Sequence, residues 1–116
     1  MMETYISFYL RYNRIYIFID ALRGIGSPKY VCFMISNDGN TLILSPYQKK
    51  DFHSHRVPQD VYHGVGSLNL TSIRLCHILT TEFGWDSDKS YRVPGWLDEG
   101  KKVIVFNLRA ASKIKE

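Results

Sequence analysis

The run from Arg14 to Tyr47, RIYIFIDALRGIGSPKYVCFMISNDGNTLILSPY, constrains the fold more than any other part of this 116-residue chain. Phe18, Ala21, Leu22 and Ile25 fall at i, i+3, i+4 and i+7, which puts four apolar groups on one helical face. Gly26 and Pro28 end that helix, because glycine takes the left-handed conformation past a helix end and proline steers Ser27 away from helical angles. Tyr30 to Ile35 then reads as a strand whose unbroken apolar character predicts burial on both faces. Asn37, Asp38, Gly39 and Asn40 supply the residues of a tight turn, and Thr41 to Leu44 returns antiparallel.

Upstream, Thr4 to Tyr12 alternates with Ile6, Phe8, Leu10 and Tyr12 on one face and Tyr5, Ser7, Tyr9 and Arg11 on the other, a half-buried strand. Arg14 to Ile17 reads as a short second strand. Ser45 to Gly66 carries Pro46, Pro58, Gly64 and Gly66 with no helical or strand period, and is expected as a long loop. Leu68 to Leu70 is a short strand, and Thr71 or Ser72 caps a helix with Leu75, Leu79 and Phe83 on its apolar face, stopped by Gly84. Tyr91 to Leu97 reads as a strand broken or bulged at Pro94 and Gly95, Asp98 to Lys101 as a turn, and Lys102 to Leu108 as the last strand.

These elements predict a single α+β domain over residues 1–108: an antiparallel sheet of about six strands with two helices on one face, and a polar tail over 109–116. Both halves read as strand, helix, glycine, strand, turn, strand, which suggests duplicated β-α-β-β units. A composition of 45% apolar and 22% charged residues is that of a globular domain rather than a disordered segment. Cys32 and Cys76 lie among apolar neighbours as free thiols, which points to a reducing, cytoplasmic setting. The opening MMETYISFYLRYNR lacks the basic region and apolar run of a leader, and no stretch reads as a membrane span.

The sharpest polar cluster is Lys49-Lys50-Asp51-Phe52-His53-Ser54-His55-Arg56, with His63 beyond it. Its H-x-H pair needs further convergent ligands to hold zinc, so no metal is assigned. As a site for an anionic partner, Lys49, Lys50 and Arg56 with nearby Lys29 supply charge, Phe52 and Tyr47 supply stacking rings, and His53 and His55 complete the candidate set. No G-x-S-x-G, phosphate loop or H-E-x-x-H is present, neither Cys is flanked by residues that would activate it, and Asp86 with Asp88 is an ordinary helix-exit pair. No catalytic residue and no cofactor is therefore expected, and the chain is read as a non-enzyme. Trp85 is expected to cover the core, whereas Tyr91, Arg92 and Trp96 are candidates for a protein interface.

The segment I-x-x-x-x-x-A-L-R-x-I-G-S-P-K-Y-V from Ile15 to Val31, the R-V-P at Arg56 to Pro58, and Y-R-V-P-G followed by V-I-V-F-N-L resemble small proteins of bacteria and their phages or mobile elements. The resemblance implies a shared fold and a binding role, as regulator or inhibitor of a host or defence complex; it assigns no residue a function. The expected function is a protein-binding module without membrane association, its oligomeric state left open with a homodimer as one option. A basic nucleic-acid-binding regulator, or a protein that sequesters small anionic nucleotides, is the alternative.

Overall fold

The structure is a computed structural model that describes residues 2–115. The first strand, β1 (Glu3–Tyr9), buries Thr4, Ile6 and Phe8 on one side. A 3-10 turn at Leu10–Tyr12 and Asn13 in the left-handed region reverse the chain into β2 (Arg14–Phe18). Tyr12 is therefore exposed and does not continue the face of Ile6 and Phe8. The helix α1 (Ile19–Gly24) starts one residue after the expected Phe18, which lies outside it as the N-cap position. It ends as anticipated: the amides of Gly26 and Ser27 bond the carbonyls of Arg23 and Leu22 at 3.0 and 3.1 Å, with Gly26 at φ +100°. This is the Schellman arrangement that satisfies the last carbonyls of a helix.

The hairpin of β3 (Tyr30–Ile35) and β4 (Thr41–Tyr47) turns at Gly39, φ +73°, where the Asp38 carboxylate accepts bonds from the Asn40 amide and the Ser36 hydroxyl. Only Val31 of β3 is fully buried, so the expectation of burial on both faces fails. The strand lies near one end of the sheet, where apolar side chains stay half-covered. Within the expected loop, β4 runs on to Tyr47, β5 (His55–Arg56) pairs with β3, and a 3-10 turn forms at Gln59–His63. This segment is held down by the buried Val57, whose amide bonds the Lys29 carbonyl at 2.7 Å, and by the Tyr62 hydroxyl, which donates to Pro28 at 2.7 Å.

Next come β6 (Ser67–Thr71) and α2 (Ile73–Thr81), the helix capped by Ser72, whose hydroxyl accepts from the Leu75 amide. The long strand β7 (Ser90–Asp98) is continuous through Pro94 and Gly95 rather than broken there. On one side it pairs with β1 along its length; on the other its partner changes from β8 (Val103–Asn107), opposite Gly95 to Asp98, to β9 (Ser112–Lys113), opposite Tyr91 and Arg92. The Leu97 amide points towards β1, bonding Met2, so by alternation the position of Pro94 that lacks an N–H faces the other side, in the gap between β8 and β9. Proline costs no ladder bond there. Residues expected as a polar tail thus contribute a strand, with the Ile114 amide bonded to the Ser90 carbonyl, while Leu108, expected in the last strand, is buried in a 3-10 turn after β8.

Among the described residues the sheet has nine strands in the order β5-β3-β4-β8-β7-β1-β2-β6, with β9 on β7, and curls into a nearly closed antiparallel barrel. The expected sheet of about six strands with two helices on one face does not form. Strand, helix and hairpin do recur in order, but β2 pairs with β6 and β4 with β8, so the two stretches interleave in one sheet instead of lying side by side as units. Alternate residues of the strands point inward to one core, which Ala21, Leu22, Leu75, Cys76 and Leu79 of the helices complete.

Candidate functional site

Strands with an inner buried face have an outer face, and in β1, β2 and β7 that face is aromatic. Tyr5, Phe18 and Trp96 are 44%, 47% and 39% exposed, far more than rings of that size show in a core. Cross-strand register sets Tyr5 opposite Pro94, Ser7 between Tyr16 and Arg92, and Glu3 opposite Trp96. The Arg92 guanidinium lies 5.5 Å from the Tyr5 ring centroid, and Tyr9 meets Tyr16 edge to face at 4.9 Å. Three concavities open along this surface. One of about 490 Å³ is lined by Tyr5, Pro94, Trp96 and Asn107; one of about 400 Å³ by Ser7, Tyr9, Tyr16, Phe18 and Arg92; and one of about 300 Å³ by Glu3, Tyr5, Phe18 and Asp20. Tyr5 and Phe18 each line two of them and so form the ridges between.

Of the residues proposed from sequence for a protein interface, Arg92 and Trp96 lie on this face and Tyr91 does not. Tyr91 is 7% exposed, stacks on Trp85 at 4.5 Å, and accepts a bond from the Asp86 amide through its hydroxyl. It is a core residue because β7 alternates and Arg92 takes the outward position. Trp85 is partly buried and packs over the core against Phe8 and Tyr91, and Trp96 is the exposed tryptophan, as expected. Tyr5, Tyr16 and Phe18 were not picked out from sequence as site residues, although the alternation of β1 already places Tyr5, Ser7 and Tyr9 opposite its buried face.

The residues proposed for an anionic partner separate into two groups. Phe52, His53 and His55 line a groove of about 240 Å³ with Phe33 and Ile35 of β3 and Arg74, Leu75 and Ile78 of α2. The groove lies along the seam of the barrel, between the β3 edge and α2. Phe52 is 86% exposed with its ring against His53 at 4.3 Å, and Phe33 meets His55 edge to face at 5.4 Å. Burial holds the His55 imidazole below its ordinary pKa, because the charged form loses water there. Lys49, Lys50 and Arg56 are exposed but do not line this groove. Between the two groups, Asp51 organises the loop by accepting bonds from the Tyr47 hydroxyl at 2.8 Å and the His53 amide at 2.8 Å. The Tyr47 bond, above all, holds the Asp51 carboxyl below its usual range and raises the Tyr47 phenol.

Among the described residues, no three His, Cys, Asp or Glu side chains converge as a metal site. Cys76 is buried, which pushes its thiol up to about 11 and keeps it protonated. Cys32 sits 3.2 Å from the Ser45 hydroxyl with no base beside it in that contact. The four residues Asp86, Ser87, Asp88 and Lys89 form a turn in which the Asp86 carboxylate accepts from the Asp88 amide, the ordinary role of an Asx residue after a helix. Among the described residues, no helix is long and apolar enough to cross a membrane. Comparison of the chain with family models, curated proteins and solved structures finds no match.

Proposed function

We propose that this protein is a non-enzymatic binding module that docks a partner protein on the aromatic outer face of β1, β2 and β7. The observation that carries the reading is the exposure of Tyr5, Phe18 and Trp96 together on one sheet face, with Arg92 beside them and concavities between the rings. Folding gains nothing from leaving such rings in water, whereas Trp, Tyr and Arg in shallow pockets are the groups that carry most of the energy of protein interfaces. Glu3 and Asp20 border the same concavities, so the face is of mixed charge, unlike the uniformly basic track that a phosphate backbone selects. The sequence resemblance to mobile-element proteins names a host or defence complex as the first class of partner to test.

The test is capture of partners by the tagged protein and by a Tyr5→Ala/Trp96→Ala variant of equal thermal stability, with the bound species identified by mass. A protein that is retained by the wild type in stoichiometric amount and lost from the double variant supports the reading. Retention of nucleic acid, unchanged in the double variant but lost when Lys49, Lys50 and Arg56 are all replaced by Ala, overturns it in favour of the basic loop.

A further inference from the structure

The barrel is not closed, and its seam has the makings of a second site independent of the aromatic face. The two ends of the strand path are β5 and β6, and β5 covers only the first part of β3, pairing His55 with Val31 and Arg56 with Tyr30. The Ser36 amide bonds Thr41 across the hairpin, and Val57 bonds the Lys29 carbonyl on the opposite side of β3. Alternation therefore turns the amides and carbonyls of Phe33 and Ile35 away from β4, beyond the point where β5 stops, and among the described residues no strand pairs with them there. An uncovered edge of this kind is a template for another strand. It is also recessed: α2 stands opposite, with Leu75, Ile78 and Arg74 facing Phe33 and Ile35 across the groove.

We infer that this groove binds an extended acidic segment of a partner protein, which continues the ladder of β5 along β3 and places alternate apolar side chains against Leu75 and Ile78. The backbone supplies affinity and the slot supplies side-chain selection, as in other cases of strand addition. Charge supplies the sign. The groove's titratable lining is Arg74, His53 and His55, no carboxylate lines it among the described residues, and Lys49, Lys50 and Arg56 flank it in the same loop and strand. The neighbouring acid, Asp51, is occupied by Tyr47 and by the His53 amide.

The test uses the intact protein and a synthetic peptide, Asp-Val-Glu-Ile-Asp-Val-Glu, followed by amide hydrogen exchange. Exchange at the Phe33 and Ile35 amides should slow on addition of the peptide, while a peptide N-methylated at alternate residues, or its lysine counterpart Lys-Val-Lys-Ile-Lys-Val-Lys, should give no protection. Arg74→Ala, an exposed position that leaves the fold in place, should weaken binding about two- to fivefold, the scale of one exposed charge pair. Equal protection by the lysine peptide overturns the inference, as does protection mapped to the outer face of β1 and β7. So does protection of Phe33 and Ile35 that rises with protein concentration alone, which would make a second copy the occupant, and so does displacement of the peptide by a single-stranded oligonucleotide with affinity above the peptide's own.

Discussion

Gly95 faces the core opposite Phe106, and the space a side chain would need is already filled: a Cβ there would stand 2.4 Å from the Val105 carbonyl oxygen and 2.5 Å from the Phe106 ring. Backbone cannot yield as a flexible side chain can, so Gly95→Ala should cost about 2–3 kcal/mol, at the upper end of overpacking. Urea denaturation measures this, and an unchanged midpoint would contradict the close approach of β7 and β8. At Gly39 the cause is different, since φ of +73° strains any β-branched residue and the Phe83 ring lies 3.3 Å from where a Cβ would be. Gly39→Val should lower the melting temperature well beyond a surface change, whereas Asn37→Ala, beside it and exposed, should not. The two glycines also show what a sequence can say. Gly39 was legible because Asn-Asp-Gly-Asn between apolar runs is a local turn signal; the need for glycine at 95 depends on a strand that only the fold brings alongside. Tyr91 read as a surface anchor although alternation in β7 already groups it with the buried Val93 and Leu97 and turns Arg92 and Trp96 outward.

Among the elements, the segment from Gln48 to Gly66 departs furthest from its expected character as a free loop. Arg23 on α1 reaches across to it, donating to the carbonyls of Tyr62 at 2.9 Å and of Gly64, while also pairing with Asp20. Removing this clasp in Arg23→Ala should cost about 1–2 kcal/mol, because the guanidinium is partly exposed. It should also speed hydrogen exchange selectively in residues 59–66; uniform exchange across the domain would show that Arg23 does not hold the segment. The far end of the same segment carries a pH dependence. His55 is held below its ordinary value of 6.5 by burial, so below pH 6.5 the unfolded chain binds a proton that the folded state resists. Its contribution is present above that pH and is lost as pH falls through the folded value. Stability should therefore decline on acidification from about pH 6.5, before Asp38 and Asp51, both held below 3.8 chiefly by side-chain hydrogen bonds from Ser36 and Tyr47, begin to act. His55→Gln should flatten the decline above pH 5; an equal decline in that variant would assign it elsewhere. The end of α1 was readable from Gly26 and the start of α2 from Ser72, whereas α2 stops at Thr81, short of the expected Phe83 and Gly84; the anchoring of the segment was not readable, because Val57, Tyr62 and Arg23 find their partners over long sequence separations.

At the scale of the molecule, the inward-pointing residues of the strands were evident from alternation in β1 and from the apolar runs of β4 and β8. The closure of the sheet was not evident. The turn before Arg14 and the short strand after it were readable, but β5 lay within an expected loop and β9 within an expected tail; their pairing with β3 and β7 depends on contacts distant in sequence. Curling of the sheet consumes one face of its strands and leaves the rings of β1, β2 and β7 on the other face outside, the surface on which the proposed function rests. The account's central claim is that this outer aromatic face, and not the basic loop, binds the partner. The most direct measurement is the affinity of the captured partner, at two salt concentrations, for the wild type, for Trp96→Ala and for the triple variant Lys49→Ala/Lys50→Ala/Arg56→Ala. Trp96→Ala should weaken binding by about 2 kcal/mol or more with modest salt dependence, and the triple variant should bind within a few tenths of wild type. Binding that falls steeply with salt, survives Trp96→Ala and is abolished in the triple variant would contradict the claim.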